Sequence, residues 1–224
     1  MDEKQLAGYI DHTLLDPAAT TEQIEQACKG ALEFGFHTVI VNGRWLGRAA
    51  ELLHGSKVQV GSVVSLPLGG DSTKIKVAQA KEAIFAGADE VDMVADLAAI
   101  IEGDSRYLQN QLQAVLKVCR SMRPLVVLKV IIESAALSNE QKVFACRVAN
   151  GCGVDFVKTS TGLHPAGGAT VEDIRLMKEA APNCRVKAAG GIRTARQAIE
   201  MLEAGAERIG TSAGVQIIEQ FRTG

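Results

Sequence analysis

The chain has 224 residues, 47% of them apolar and 22% charged, with a formal net charge of −2. That balance supports a large core and leaves no basic footprint for nucleic acid or for an anionic membrane. The opening Met1-Asp2-Glu3-Lys4-Gln5 lacks the apolar stretch of a secretory leader and no run of eighteen apolar residues follows, so the expected location is cytoplasmic.

After a short N-terminal helix, Tyr9-Ile10-Asp11 reads as the first strand. Thr20-Thr21-Glu22-Gln23 fits a capping box, in which the first hydroxyl and the fourth side chain satisfy each other's backbone amides, and it opens a helix. Strands are then expected over 38–41 and 58–64. Phe85-Ala86-Gly87-Ala88-Asp89 ends a helix with glycine just before a strand over 90–94. The fifth strand covers 125–131. A second capping box, Ser138-Asn139-Glu140-Gln141, opens the helix that Asn150-Gly151-Cys152-Gly153 closes ahead of a strand over 154–158. Gly167-Gly168-Ala169-Thr170 reads as a loop and N-cap. A strand over 185–188, a third box at Thr194-Ala195-Arg196-Gln197, the phrase Glu203-Ala204-Gly205-Ala206-Glu207 and a strand over 208–210 complete the series. Eight strands, mostly rich in β-branched residues and alternating with helices, predict a single (β/α)8 TIM barrel over residues 1–224. A doubly wound open sheet is the alternative, although no G-x-G-x-x-G follows the first strand.

Barrel enzymes build their sites at the C-terminal ends of strands. Asp11 ends the first candidate strand, Asn42 follows the second, Ser65 ends the third, Asp92 lies in the fourth and Lys129 in the fifth. Lys158 and Lys187 end the sixth and seventh, twenty-nine residues apart, an interval that fits one strand–helix–strand unit. One such charge among Val, Ile and Leu reads as half of a structural ion pair. Five converging ionisable groups point to chemistry instead. Two ammonium groups in a dry site destabilise each other, so one loses its proton near neutral pH, and a neutral lysine amine can form a Schiff base with a carbonyl. Spacing alone leaves open which lysine does so. Gly190-Gly191-Ile192-Arg193 and Gly210-Thr211-Ser212-Ala213-Gly214 each precede a helix in adjacent units, and their free amides suit a phosphate dianion. Tight turns are the plain alternative. Cys28, Cys119, Cys146, Cys152 and Cys184 show no CxxC spacing and read as free thiols. His12, His37, His54 and His164 form no HxH or HExxH, so no metal site is expected.

Ile10-Asp11-His12-Thr13-Leu14-Leu15, Glu90-Val91-Asp92-Met93-Val94 and Leu128-Lys129-Val130-Ile131-Ile132-Glu133 resemble segments of deoxyribose-phosphate aldolases. So do Asp155-Phe156-Val157-Lys158-Thr159-Ser160-Thr161-Gly162 and Val186-Lys187-Ala188-Ala189-Gly190-Gly191-Ile192-Arg193, and matching stretches run from about residue 10 to about 215. The resemblance implies a cofactor-free, metal-independent class I aldolase. Such an enzyme reversibly cleaves 2-deoxy-D-ribose 5-phosphate to D-glyceraldehyde 3-phosphate and acetaldehyde. It implies Lys158 as nucleophile, Lys187 as the neighbouring cation and Asp92 as general acid/base, with Lys129 and Asp11 completing the charge network. Gly162, Gly190, Gly191, Arg193, Gly210 and Ser212 fall where the family holds the 5-phosphate. A homodimer acting on small phosphosugars and aldehydes, with no nucleic-acid or membrane partner, is the expected assembly.

The chain departs from the pattern at several points. Asp16 stands where many members have lysine, Asp96-Leu97-Ala98 where they have Asn-Ile-Gly, and Ala213 where they have a second serine. Ile40 and Gly43 replace a frequent cysteine and proline, and no tyrosine follows Phe221. Another phosphosugar lyase or isomerase without covalent lysine chemistry, and a sugar-phosphate sensor, are the competing expectations.

Overall fold

The structure is a computed structural model that describes residues 1–121 and 124–223. Met122, Arg123 and Gly224, which the expected span of 1–224 includes, lie outside the described residues. Eight parallel strands close into a barrel, each hydrogen-bonded to its neighbours in chain order, with β8 returning to β1. They are β1 Ile10–Leu14, β2 Thr38–Val41, β3 Gln59–Val64, β4 Glu90–Val94, β5 Val127–Ile131, β6 Phe156–Lys158, β7 Arg185–Ala189 and β8 Arg208–Thr211. The open-sheet alternative is thereby excluded.

The helices are α1 Glu3–Ala7, α2 Thr21–Phe34, α3 Gly43–Leu53, α4 Thr73–Phe85, α5 Leu97–Glu102, α6 Ser105–Arg120, α7 Asn139–Cys152, α8 Val171–Ala180, α9 Ala195–Glu203 and α10 Gly214–Thr223. All three expected capping boxes form, at Thr20, Ser138 and Thr194. A fourth, unforeseen, joins Asp2 and Gln5 at the start of α1. Gly153 caps α7 in the left-handed conformation, while α4 and α9 end on Ala86 and Ala204 with the left-handed glycine one residue later. No described helix is long and apolar enough to cross a membrane.

Two strand boundaries differ in a way that bears on the site. β1 runs on through His12, Thr13 and Leu14, because those residues pair with Val39, Ile40 and Val41 of β2. β7 continues to Ala189, so Lys187 stands in mid-strand, paired with Lys158 on one side and Arg208 on the other. β3, β5 and β6 begin one or two residues later than expected.

The apolar core fills the shell between sheet and helices, with Ile10, Val39, Val91, Leu128, Val157, Val186 and Ile209 facing outward from the strands. Side chains alternate along a strand, so the odd-one-out residues point into the barrel. The register and contacts stack the central ones in three layers of four from alternate strands, the usual barrel packing. Thr38, Glu90, Phe156 and Arg208 form the lowest layer. Asp11, Gly61, Lys129 and Lys187 form the middle one, and Ile40, Asp92, Lys158 and Gly210 the uppermost. Two of these are glycine for want of room. A Cβ on Gly61 would fall 2.6 Å from Ile40 Cδ1, and one on Gly210 3.0 Å from Lys187 Cε.

Candidate active site

Seven of the twelve residues in these layers are ionisable and buried: Asp11, Glu90, Asp92, Lys129, Lys158, Lys187 and Arg208. Burial of so many charges is tolerable only if each is paired, since one bare ion costs several kcal/mol, roughly, in a protein interior. Asp92 is the hub. Its Oδ2 accepts from Lys158 Nζ at 2.7 Å and from Lys187 Nζ at 2.8 Å, and its Oδ1 accepts from Lys129 Nζ at 2.9 Å. Lys187 also donates to Asp11, and Lys129 to Glu90. Arg208 Nη1 donates to Asp11 at 2.8 Å and reaches Glu90 Oε1 at 3.3 Å. Thr38 Oγ1 donates to Glu90, which also has His37 Nε2 at 3.6 Å.

The electrostatics separate these groups. Burial pushes the Lys158 amine down and the Asp92 carboxylate pulls it back up, while the Lys187 ammonium pushes it down again, with a net value of about 8. Burial opposes the ionised carboxyl of Asp92, but Lys129, Lys158 and Lys187 outweigh it and hold the group well below the usual carboxylate range. Asp11 and Glu90 are lowered for the same reason, burial being overcome chiefly by Lys129. Burial works against the Lys129 ammonium too, yet Asp11, Asp92 and Glu90 together raise its pKa. The expectation that two cations would drive one lysine to deprotonate therefore needs adjustment: desolvation is the larger cause and Lys187 the smaller.

Only Lys158 of this network reaches the open cavity of about 870 Å³ at the C-terminal mouth. Gly162, Gly190, Gly191, Arg193, Gly210 and Ser212, all six residues expected around phosphate, line that cavity. Asp11, Asp92, Lys129 and Lys187 lie beneath it, below the mouth where they were expected to converge. The amides of Gly162, Gly191 and Ser212 have no hydrogen-bond partner among the described residues. The Arg193 and Thr194 amides, by contrast, both donate to Gln197 Oε1 at 2.9 and 3.1 Å, so Arg193 offers the cavity its guanidinium alone.

The two sides of this cradle are joined by a backbone crossing. Gly190 has φ of 90°, and a Cβ there would fall 2.9 Å from Gly168 Cα. The Ala169 amide donates to the carbonyls of Ala189 and Gly190, each at 3.1 Å. Residues 167–170, which read as a mere loop and N-cap, thus lock the β6–α8 connection onto the β7–α9 turn. Glu133 holds the same connection from below. It is buried in a left-handed conformation, φ 56°, and both carboxylate oxygens accept the Thr161 amide, at 3.3 and 3.2 Å.

Sequence reasoning overlooked Glu90, Arg208 and Glu133 as members of the site. The first two were legible: Glu90 is two residues before Asp92 and Arg208 two before Gly210, so alternation puts both inside the barrel. Glu133 had no such signal, because it follows the end of β5. Asn42 and Asp16 also line the cavity. Among the described residues no group of three or more His, Cys, Asp or Glu is placed to hold a metal ion.

A closed (β/α)8 barrel that presents a buried lysine amine to its mouth cavity, hydrogen-bonded to a carboxylate two strands away, defines a lysine-dependent aldolase. Comparison with known proteins narrows the class. The model of the DeoC/LacD family aldolases matches residues 6–220, and the chain belongs to that family. It is 49% identical over 222 residues to the deoxyribose-phosphate aldolase of Thermococcus kodakarensis, covering 98% of each chain. It is 47% identical to that of Brevibacillus brevis, covering 96% of each. The tetrameric deoxyribose phosphate aldolase of Aeropyrum pernix superposes with a TM-score of 0.92 at 29% identity, over 99% of this chain and 93% of that one.

Proposed function

We propose that the chain is a deoxyribose-phosphate aldolase, cleaving 2-deoxy-D-ribose 5-phosphate reversibly to D-glyceraldehyde 3-phosphate and acetaldehyde, with Lys158 as the Schiff-base nucleophile. The observation that carries this reading is the position of Lys158, bonded to Asp92 beneath and open above to a cavity walled by the glycine turns.

Neutral Lys158 Nζ attacks C1 of the open-chain aldehyde, forming a C–N bond while the carbonyl oxygen takes a proton relayed through Asp92. Loss of that oxygen as water leaves a protonated imine. Removal of the proton from the C3 hydroxyl sends the C2–C3 bond electrons towards the imine, which accepts them far better than a neutral carbonyl does. D-glyceraldehyde 3-phosphate departs and an enamine remains. Protonation of the enamine at C2 and hydrolysis of the resulting imine release acetaldehyde and restore the amine. Asp92 moves the protons, and Lys187 keeps that carboxylate ionised and supplies positive charge beside the imine. Lys129 and Asp11 fix the carboxylate of Asp92 and the ammonium of Lys187 from below. Gly162, Gly190, Gly191, Gly210 and Ser212 hold the phosphate through backbone amides and the space between them, with Arg193 as its counter-charge. These steps call on no cofactor and no metal.

Borohydride with acetaldehyde tests the assignment. An adduct of acetaldehyde is expected on Lys158, together with loss of at least about three orders of magnitude in kcat in Lys158→Ala. Retained activity in that variant overturns the reading. We further take residues 1–224 as one catalytic domain, placed in the cytoplasm and acting on small molecules as a homodimer. Homo-oligomers are in keeping with the tetramer described for the Aeropyrum pernix relative.

A further inference from the structure

The three layers of the barrel interior hold three carboxylates, Asp11, Glu90 and Asp92, against four basic groups, Lys129, Lys158, Lys187 and Arg208. With every basic group protonated the interior carries one surplus positive charge, and with Lys158 neutral it carries none. Of the four, Lys158 is also the one that opens to the cavity, so the surplus proton leaves from there. Arg208 and Glu90 sit in the lowest layer, two layers below the substrate cavity, and line no part of it.

We propose that Arg208 and Glu90 are positioning residues that set the protonation of the nucleophile by fixing the charge of the barrel interior, and do so without touching substrate. The inference rests on Lys158 being the nucleophile. Its route is a chain of shared carboxylates. Arg208 and Lys187 hold opposite oxygens of Asp11, Lys187 and Lys158 share Asp92 Oδ2, and Lys129 bridges Glu90 to Asp92.

The groups facing the pair come from every strand that packs there. Arg208 meets Asp11 from β1, Thr38 from β2, Glu90 from β4 and the ring of Phe156 from β6, with its guanidinium 5.3 Å from the ring centre. Lys187 of β7 is its strand neighbour, and the Arg208 charge opposes that of Lys129 on β5. Arg185 covers the other approach to Phe156, at 4.1 Å from the centre. His37 of the β2 approach stands beside Glu90, its Nε2 3.6 Å from Oε1. Around Lys158 stand Asp92, Lys187 and Lys129. Glu133 lies beyond the end of β5, bonded to the Thr161 amide, and is common to all the variants below.

Deleting Arg208 alone leaves the interior balanced only when Lys158 is protonated. Deleting Glu90 alone adds positive charge and favours the neutral amine further. Deleting both restores the original count. The test is the pH dependence of the single-turnover rate of borohydride trapping with acetaldehyde. It is followed from pH 6 to 10. For Arg208→Met the midpoint is expected to rise by about one pH unit, and for Glu90→Gln to fall by about one. The double variant is expected to return to within about 0.3 unit of the parent, and Arg208→Lys, which keeps the charge, to stay with it. Should Arg208→Met fail to fold, Glu90→Gln and the double variant still decide, since a buried pair removed whole is far better tolerated than half of one. Coincident midpoints in the parent and the folded single variants overturn the inference. A parent protein that gives no adduct on Lys158 overturns the nucleophile assignment instead, so the two failures are distinct.

Discussion

A buried amine titrates where desolvation and its charged neighbours come to balance, and for Lys158 that point lies at about 8 against an ordinary 10.5. The direction fixes the pH profile. Below about pH 8 the neutral fraction falls tenfold per unit, so trapping at subsaturating acetaldehyde should decline with unit slope on the acid side and level off above. A profile flat from pH 6 to 9 would contradict the assignment. Asp16 makes a second residue-scale case. This exposed carboxylate lines the same cavity as Arg193 and the glycine turns, so it repels a phosphate dianion. Asp16→Asn should lower KM for the phosphorylated sugar by about two- to threefold, with the gain fading as salt is added, and leave unphosphorylated deoxyribose unaffected. At this scale the sequence disclosed the charges that end strands, such as Lys158, more readily than those that begin them. Glu90 and Arg208 open β4 and β8, where a charge ordinarily meets solvent, and only the alternation from Asp92 and Gly210 betrays their inward course.

Helix starts were the most legible elements, because a capping box is a local arrangement that needs no tertiary partner. Strand limits were less so. Whether Thr13 or Ala189 belongs to a strand is settled by the neighbouring strand's register, which no local signal carries. The crossing of Gly168 over Gly190 is likewise non-local, and it makes a prediction about connections instead of side chains. Gly190→Ala would place a methyl 2.9 Å from Gly168 Cα at a residue whose φ is 90°. Such backbone strain costs about 1–3 kcal/mol, and the β6–α8 connection would relieve it by lifting away from the β7–α9 turn. KM for deoxyribose 5-phosphate should then rise about tenfold while the rate of acetaldehyde trapping stays within about twofold. An equal loss in both would mean that the crossing also shapes the lysine.

For the molecule as a whole, closure of the barrel was foreseeable from eight repeats of strand and helix, since each glycine-ended helix returns the chain to the same edge of the sheet. Assembly was not, because surface patches have no periodic signature. Leu68 and Phe85 are 80% and 79% exposed, and large apolar side chains so placed on a barrel are candidates for contact between copies. Light scattering at micromolar concentration should give twice the chain mass for the proposed homodimer. The monomer mass alone would remove the dimer, and four times that mass would match the Aeropyrum pernix relative instead.

The layered interior has a consequence for how such a protein can change. Most apolar burial, the main source of stability, is found outside the strands, between sheet and helices, while the three layers inside them are given largely to charges. Stability and proton chemistry therefore occupy opposite faces of the same strands, one residue apart. A substitution on the outward face can harden or soften the fold with the interior charge count unchanged. An inward one can retune the reaction and leave the apolar shell as it was. Thermal tolerance and pH optimum can accordingly drift along separate lines of descent.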